Sequence, residues 1–390
     1  MSNPKILIVD DQPFNIDYLE QELEEDYLTV TAMDGQEALD QVAAEKPDLV
    51  LLDIMMPIMD GFEVLARLKA DPATRGIPVI VISADNNLNS VVRGIQLGAE
   101  DYLPKPFEPV LLHTRITTCL EKKRLSDLQA LYLKSLEREM EIARQIQGDF
   151  LPSELPQVPG CQVAAYFKAA REVAGDYYDA FVLSDGTLVG VVGDVCGKGV
   201  GAALYMTLFR SLIRVTCTTD VHPSQGKTSP AERLRLAVTF TNRYITETHG
   251  DADMFSTLFI CLVNHETGGI TYINAGNEAP YLRKSDGSLT SLGPTGPVVG
   301  VIPEAKYAVR ETRLEAGDLL LAFTDGIPDS KNDADEFFGH DRLEAILTST
   351  PAASPSDLLA GIQAQLHQFI GSAEQFDDIT VLGIQFQPPA

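Results

Sequence analysis

The sequence contains no tryptophan and few cysteines, and its basic residues are far outnumbered by acidic ones. The five cysteines form no Cys-x-x-Cys pair, which argues against both a disulfide framework and a thiolate zinc site. Thirty Lys and Arg against 56 Asp and Glu leave a net charge of −26, so nucleic acid or an anionic membrane would repel the chain. Long apolar runs and a leader-like N-terminus are also missing. These features predict a cytoplasmic protein that binds neither nucleic acid nor membrane directly.

The length and composition are those of a globular chain with more than one domain. Its 390 residues are 45% hydrophobic and 22% charged, and they suffice for two or three domains. We predict one domain over residues 1–122, a linker helix over 123–150 and a second domain over 151–390. The two domains each carry a net charge of −13 and the linker is neutral. Because no segment is basic, a transcription factor with a basic helix-turn-helix is excluded.

The pattern of apolar runs differs between the two domains. In the first domain, runs alternate with stretches of helical length and lie at 5–9, 27–32, 49–53, 79–83 and 101–105. This alternation predicts an α/β domain with a parallel sheet. In the second domain, strand-like runs surround three helical stretches at 201–216, 231–248 and 356–369. That arrangement predicts an α+β sandwich.

The linker, residues 123–150, contains no proline and only one glycine, Gly148. Its abundant Leu, Glu, Arg and Gln favour a single long helix. Apolar residues recur along it with heptad-like spacing, at 125, 128, 132, 136, 140, 143 and 150. A coiled coil between two copies of the chain would cover this stripe, and so would packing of the helix on its own domains.

Polar residues follow or end the apolar strands of the first domain. They are Asp10, Asp11, Asp53, Ser83 and Lys105. Because ligands bind at the carboxyl ends of parallel strands, these side chains are expected to meet at one edge of the sheet. Three converging carboxylates repel one another unless a hard cation lies among them, and Mg²⁺ prefers oxygen ligands. The alternative is that the acids cap helices, but the joint pattern favours a magnesium site prepared for phosphoryl transfer.

This domain resembles the receiver domain of two-component response regulators. The similarity covers Asp10-Asp11, D-x-x-M-P-x-M-D-G at 53–61, Ser83-Ala84 and Lys105-Pro106-Phe107. The resemblance implies a flavodoxin-like (βα)5 fold and a sensor histidine kinase that phosphorylates Asp53. It implies a Mg²⁺ site formed by Asp10, Asp11, Asp53 and the Met55 carbonyl. Lys105 and Ser83 would contact the phosphoryl group, and Tyr102 would change rotamer as the switch.

Acidic signatures also lie next to apolar strands in the second domain. They are EVAGD at 172–176, GDVCGKG at 193–199, GD at 317–318, TDG at 324–326 and DDIT at 377–380. The six histidines suggest neither a Ser-His-Asp arrangement nor a zinc-spaced pair. A carboxylate site indicates Mg²⁺ or Mn²⁺, and two such ions can activate water for attack on a phosphate ester. The pattern therefore indicates phosphoester hydrolysis without a protein nucleophile.

Residues 150–390 resemble the PPM family of metal-dependent serine/threonine phosphatases, in its SpoIIE/RsbU-type branch. The resemblance implies two or more Mg²⁺ or Mn²⁺ ions, bridged by Asp194. The remaining ligands would be Asp176, the Val195 carbonyl, Asp325 and Asp377. Asp378 is expected behind these ligands, and Asp318 in a turn. The chain departs from many relatives at Ala174, where they have Gly, and at Asn277, where they have His; neither is an expected ligand.

A receiver, a long helix and a phosphatase in one chain predict a response regulator whose output is dephosphorylation of a partner protein, gated by Asp53. In the resembling branch, the substrate is usually phosphoserine or phosphothreonine on a STAS-type anti-sigma-factor antagonist. We also expect a homodimer formed through the linker helix. The alternative is a non-catalytic adaptor that binds a sigma factor or its regulator through the phosphatase-like domain. Loss of the metal acids would favour the adaptor, and these acids are present.

Overall fold

The computed structural model describes residues 3–84, 88–106, 108–219, 228–349 and 354–388. Phe107 of the Lys-Pro-Phe motif therefore lies outside the described residues. The chain divides into two compact units, Met1–Leu136 and Glu137–Ala390. Each unit has a hydrophobic core of its own, as expected for a domain.

The first unit contains a parallel five-stranded sheet with the order β2-β1-β3-β4-β5. Its strands are β1 (Lys5–Val9), β2 (Leu28–Ala32), β3 (Leu49–Asp53), β4 (Val79–Ser83) and β5 (Asp101–Pro104). The helices between them are α1 (Pro13–Leu23), α2 (Gly35–Glu45), α3 (Gly61–Ala70) and α4 (Leu88–Gln96). The apolar side chains of β1, β3 and β4 are buried, because helices cover both faces of such a sheet. The predicted α/β fold is confirmed.

The next helix, α5 (Pro109–Phe150), is continuous for 42 residues and contributes to both units. We predicted that the helix starts at residue 123, where the composition changes. The structure starts it at Pro109, because neither proline nor glycine interrupts the chain between Val110 and Gln147. Apolar side chains of the heptad-like stripe are exposed, including Leu125 at 68% and Tyr132 at 69%.

The second unit contains two antiparallel five-stranded sheets, packed face to face. Their strand orders are β13-β10-β9-β8-β7 and β12-β11-β14-β15-β6. The strands are β6 (Cys161–Lys168), β7 (Asp176–Val182), β8 (Leu188–Val195), β9 (Ser256–Val263), β10 (Gly269–Ala275), β11 (Tyr281–Arg283), β12 (Leu289–Ser291), β13 (Arg310–Arg313), β14 (Leu319–Phe323) and β15 (Ile379–Phe386). Side chains of both sheets, such as Val192, Phe259 and Leu382, form one buried cluster.

Two helix pairs cover the outer faces of the sandwich. Helices α6 (Val200–Thr218) and α7 (Pro230–His249) share a core with β7–β10, while α8 (Gly339–Ser349) and α9 (Pro355–Ile370) share one with β14 and β15. The resulting α/β/β/α layers confirm the predicted sandwich. Strands β7, β11, β12 and β13 and helix α8 were absent from the sequence-based prediction.

Helix α6 is the one helix among the described residues with the length and apolar composition to cross a membrane. Its inner face, which includes Met206 and Phe209, is buried in the core that it shares with β7–β10. A helix that packs on a sheet needs such an apolar face, so the core explains its composition.

Candidate functional site

The polar residues predicted at the strand ends of the first unit lie together at one edge of its sheet. Asp10, Asp11 and Asp53 each place a carboxylate oxygen within 4.8 Å of the others. Lys105 Nζ donates to Asp10 Oδ2 at 2.6 Å and to Asp53 Oδ2 at 2.7 Å. Ser83 ends the adjacent strand β4 and is 1% exposed. The arrangement brings three acids, one ammonium and one hydroxyl-bearing residue to the same edge.

Lys105 provides a fixed positive charge in this cluster. Burial alone would lower the pKa of Lys105, but its hydrogen bonds to Asp10 and Asp53 and their charges raise that pKa above its ordinary value. The other Asp53 oxygen, Oδ1, accepts a hydrogen bond from the Met55 amide at 3.2 Å. Asp53 is therefore held from both sides, by an ammonium and by the turn after β3.

The acids of this edge are not N-cap residues. Helix α1 has Gln12 at its N-cap, and α2 and α3 are capped by Asp34 and Asp60. The helix-capping alternative therefore applies to Asp34 and Asp60, and not to the strand-end acids. Tyr102 lies in β5 and is half-buried against the core.

A second group of acids gathers at one end of the sandwich, where both sheets contribute. Asp176 begins β7, Asp194 lies near the end of β8, and the two are direct cross-strand partners. Asp325 follows β14 in the other sheet, and Asp377 precedes β15. Val195 is the last residue of β8 and is buried.

Crowding and burial raise the pKa values of these carboxyl groups. Burial, and then the charge of Asp194, raises the pKa of Asp176 well above its ordinary value. Burial and the charges of Asp325 and Asp377 raise the pKa of Asp194 to about 7. Burial and the charge of Asp377 raise the pKa of Asp325 to about 6. A bound cation relieves such repulsion, and this oxygen donor set fits Mg²⁺ or Mn²⁺.

Two threonines that the sequence analysis left without a role fix the orientation of Asp176. Thr324 Oγ1 and Thr380 Oγ1 donate to Asp176 Oδ2 at 2.7 and 2.6 Å. Thr380 lies in β15 and Thr324 directly follows β14, both strands of the sheet that does not contain Asp176, so the three residues join the sheets at the site. One feature of the sequence could have identified them: each threonine lies within a motif that contains acids, TDG or DDIT.

Asp378 holds the loop that leads into β7. Its Oδ1 accepts from the Ala170 amide and its Oδ2 from the Gly175 amide, both at 2.8 Å. Gly326 allows the two acidic loops to approach, because a Cβ there would overlap the Asp378 carbonyl oxygen. Asp378 thus uses both carboxylate oxygens to position the chain next to Asp176.

Gln147, on the last turns of α5, is a third residue that the sequence analysis missed. It is 6% exposed, on a helix whose side chains are mostly exposed. Its Nε2 donates to the Ala174 carbonyl at 2.7 Å, and its Oε1 accepts from the Ala174 amide at 3.0 Å. The next residue, Gly175, accepts a hydrogen bond from the Val195 amide. Helix α5 is therefore attached to the segment that leads into β7, and that segment is bonded in turn to the end of β8.

The turn before α6 places a lysine beside the acids. Gly197 and Gly199 have φ values of 89° and 82°, which confirms the predicted tight turn. Between them, Lys198 Nζ lies 3.0 Å from Asp377 Oδ2 and 3.0 Å from the Phe376 carbonyl oxygen. Its ammonium partly offsets the negative charge of the cluster.

Two further residues singled out from the sequence have roles in turns. Asn277 is buried, and its Nδ2 donates to the Phe323 carbonyl at 3.0 Å, directly before the Thr324-Asp325-Gly326 motif. Asp318 accepts hydrogen bonds from the backbone amides of Ser285 and Glu315. Its interpretation as a turn residue is confirmed.

Comparison with known families assigns both units. The family described as "Response regulator receiver domain" matches residues 6–117, and the family described as "Stage II sporulation protein E (SpoIIE)" matches 184–387, more than half of the chain. The chain belongs to the SpoIIE family. It carries a receiver domain followed by a PPM-type phosphatase domain, as the motifs predicted.

Individual relatives agree with this assignment. Protein IcfG of Synechocystis sp. is 41% identical over 261 residues, which cover 63% of this chain but only 41% of IcfG. Phosphoserine phosphatase RsbU of Bacillus subtilis is 27% identical over 250 residues, which cover 64% of this chain and 70% of RsbU. The solved structure of the SiaA-PP2C domain of Pseudomonas aeruginosa covers 66% of this chain and 100% of the SiaA-PP2C chain. Its TM-score is 0.56 at 21% sequence identity, which shows the fold.

Proposed function

We propose that this SpoIIE-family chain is a response regulator whose output is metal-dependent dephosphorylation of phosphoserine or phosphothreonine on a partner protein, gated by phosphorylation of Asp53. The convergence of four acids from two sheets carries the proposal, because burial and the charges of Asp325 and Asp377 raise the pKa of Asp194. Such an arrangement is costly unless cations occupy it. The name of the relative RsbU, a phosphoserine phosphatase, supports the same substrate chemistry.

In the phosphatase domain, the chain's own residues would bind and orient the metal ions. Two or more Mg²⁺ or Mn²⁺ ions would be held by Asp176, Asp194, the Val195 carbonyl, Asp325 and Asp377. When bound, these ions supply an activated water and neutralise charge on the phosphate ester. Thr324 and Thr380 fix one oxygen of Asp176, and Lys198 limits the repulsion at Asp377.

In the receiver domain, a sensor histidine kinase would transfer a phosphoryl group to Asp53. Mg²⁺ would be held by Asp10, Asp11, Asp53 and the Met55 carbonyl. Lys105 already contacts Asp53 and would pair with the phosphoryl oxygens. Ser83 would bind the same group, and Tyr102 would respond by a change of rotamer.

We further propose that α5 connects the two activities and forms a homodimer through its exposed apolar stripe. Leu125 and Tyr132 are more than two-thirds exposed, which favours a partner helix. The protein substrate would be a phosphorylated STAS-type anti-sigma-factor antagonist, in line with the resemblance to the RsbU-type branch. Sedimentation velocity of the full chain would test the dimer.

The proposed function is tested by Mn²⁺-dependent hydrolysis of p-nitrophenyl phosphate. We expect hydrolysis by the wild type, almost complete loss in Asp194→Ala, and no loss in Asp286→Ala, an exposed acid in a turn. Addition of beryllofluoride to the receiver should change the rate. Hydrolysis that survives Asp194→Ala would contradict the site, and a folded but inactive wild type would favour the adaptor function.

A further inference from the structure

Two exposed aromatic rings lie beside the proposed metal site. Phe376 directly precedes Asp377 and is 44% exposed, and Phe337, in the segment that follows Asp325, is 50% exposed. The rings meet edge to face, with centroids 6.4 Å apart. Exposed aromatic surface of this kind is typical of a contact site for another molecule.

Lysine ammonium groups lie over both rings. Lys331 Nζ is 4.8 Å from the ring centroid of Phe376 and 4.9 Å from that of Phe337, and Lys198 Nζ is 5.2 Å from Phe376. These are cation–π distances. Lys331 also pairs with Asp335, whose side chain is 80% exposed, so solvent screens that ion pair. The two cations are concentrated here although residues 151–390 carry a net charge of −13.

The two segments that carry these rings are joined by a hydrogen bond. Ser372 Oγ donates to Asp333 Oδ1 at 2.9 Å, which joins the segment before Asp377 to the segment after Asp325. The two rings therefore lie on segments that are joined to each other, and one of these segments continues directly into Asp377.

A hollow of about 640 Å³ borders the same surface, since Phe376 and Lys198 are among its lining residues. Arg171 and Lys198 supply positive charge to its lining, while Glu172 and Glu374 supply negative charge. Its size suits one or two side chains of a bound polypeptide.

We propose that this surface, formed by Phe337, Phe376, Lys331 and the hollow at Arg171 and Lys198, docks the segment that flanks the phosphorylated residue of the protein substrate. It selects acidic and apolar side chains there. Phe376 is bonded to Asp377, so the surface lies within reach of the residues that flank a phosphoryl group at the acids. A carboxylate complements the ammonium group of Lys331, and apolar side chains cover the ring edges. This inference rests on the proposed phosphatase function.

Fluorescence anisotropy of labelled phosphoserine peptides tests the docking surface without requiring turnover. One peptide has Leu and Glu around the phosphoserine, and the other has Ser and Lys at the same positions. We expect the full-length wild type with Mn²⁺ to bind the first about tenfold more tightly, and Lys331→Glu with Phe337→Ala to abolish most of that preference. Lys306→Glu with Phe240→Ala, which are exposed in the same unit, is the matched control.

Hydrolysis of p-nitrophenyl phosphate separates docking from damage to the metal site. We expect the double variant at Lys331 and Phe337 to hydrolyse this small ester within about twofold of the wild type, because the ester does not reach the docking surface. Equal binding of both peptides by the wild type would overturn the proposal, as would an unchanged preference in the double variant. A wild type that binds the peptides selectively but hydrolyses nothing would support docking and refute the phosphatase function.

Discussion

At the scale of single residues, the orientation of Asp176 depends on two threonine hydroxyls. Thr380→Val keeps the size of a fully buried side chain and removes one of the two hydroxyl donors to Asp176 Oδ2. We expect the Mn²⁺ concentration for half-maximal hydrolysis to rise about 10- to 100-fold, as when a contact behind a metal ligand is lost. Thr380→Ser keeps the hydroxyl and is the control. A shift in Thr380→Ser as large as that in Thr380→Val would show that the hydrogen bond alone does not control metal binding.

The raised pKa values predict how the metal-free protein responds to pH. Those of Asp194 and Asp325, about 7 and about 6, exceed the usual carboxyl value. The folded state therefore binds more protons than the unfolded state between about pH 4 and pH 7, and its stability falls as pH rises through this window. With EDTA present, we expect a higher Tm at about pH 5.5 than at about pH 8, with a smaller difference in Asp194→Asn.

Metal binding should reverse this trend, because the ligands bind as deprotonated carboxylates. Added Mn²⁺ is therefore expected to raise the Tm most at the higher pH. The same pH dependence in wild type and Asp194→Asn, each with EDTA, would show that other groups control the acid response.

At the scale of elements, the end of α5 is predicted to stabilise the loop before β7. Gln147→Leu leaves the amide and the carbonyl of Ala174 buried without their partner. We expect the free energy of unfolding of the second unit to fall by about 2 to 4 kcal/mol, since each unsatisfied group costs about 1 to 3 kcal/mol. Gln145→Leu, at an exposed position of the same helix, is the control for denaturant titrations. Equal stability of the two variants would contradict the role of Gln147.

The sequence predicted elements well where burial alone determines the pattern. Strands β1, β3 and β4 are continuous apolar runs because both faces of a parallel sheet are covered, and their predicted bounds match the structure. Strand β7 was missed because it contains acids. One of them, Asp179, is 1% exposed and paired with Arg210 and Arg214 of α6, partners that lie far along the chain.

In the candidate site, too, residues that belong to local sequence patterns were predicted, and residues placed by distant contacts were not. The acidic motifs were visible because each is a short local pattern after or before a strand. Thr324, Thr380 and Gln147 acquire their roles only through contacts across the sandwich or with α5, which local spacing does not encode. The start of α5 was misplaced because a change of composition does not interrupt helical hydrogen bonding.

At the scale of the whole molecule, one helix enters both units, and α5 is therefore the route that we propose for a signal from the receiver to the phosphatase. The helix begins after the Lys105 turn and ends three residues beyond Gln147, which contacts the loop at Ala174. A shift of the last turns of α5 would therefore displace the chain next to Asp176. This continuity supports a mechanical link in which the register or pairing of α5 sets the geometry of the metal acids.

The link predicts that occupation of the receiver lowers the metal requirement of the phosphatase. With beryllofluoride and Mg²⁺, we expect the Mn²⁺ concentration for half-maximal hydrolysis of p-nitrophenyl phosphate to fall about 5- to 10-fold in the wild type, a typical allosteric coupling. Asp53→Asn should show no response, because the acceptor carboxylate is gone. Gln147→Leu should hydrolyse the ester but respond only weakly to beryllofluoride, because its receiver is intact and its helix no longer bonds to Ala174. A full response in Gln147→Leu would mean that the signal reaches the metal acids by a route other than the end of α5.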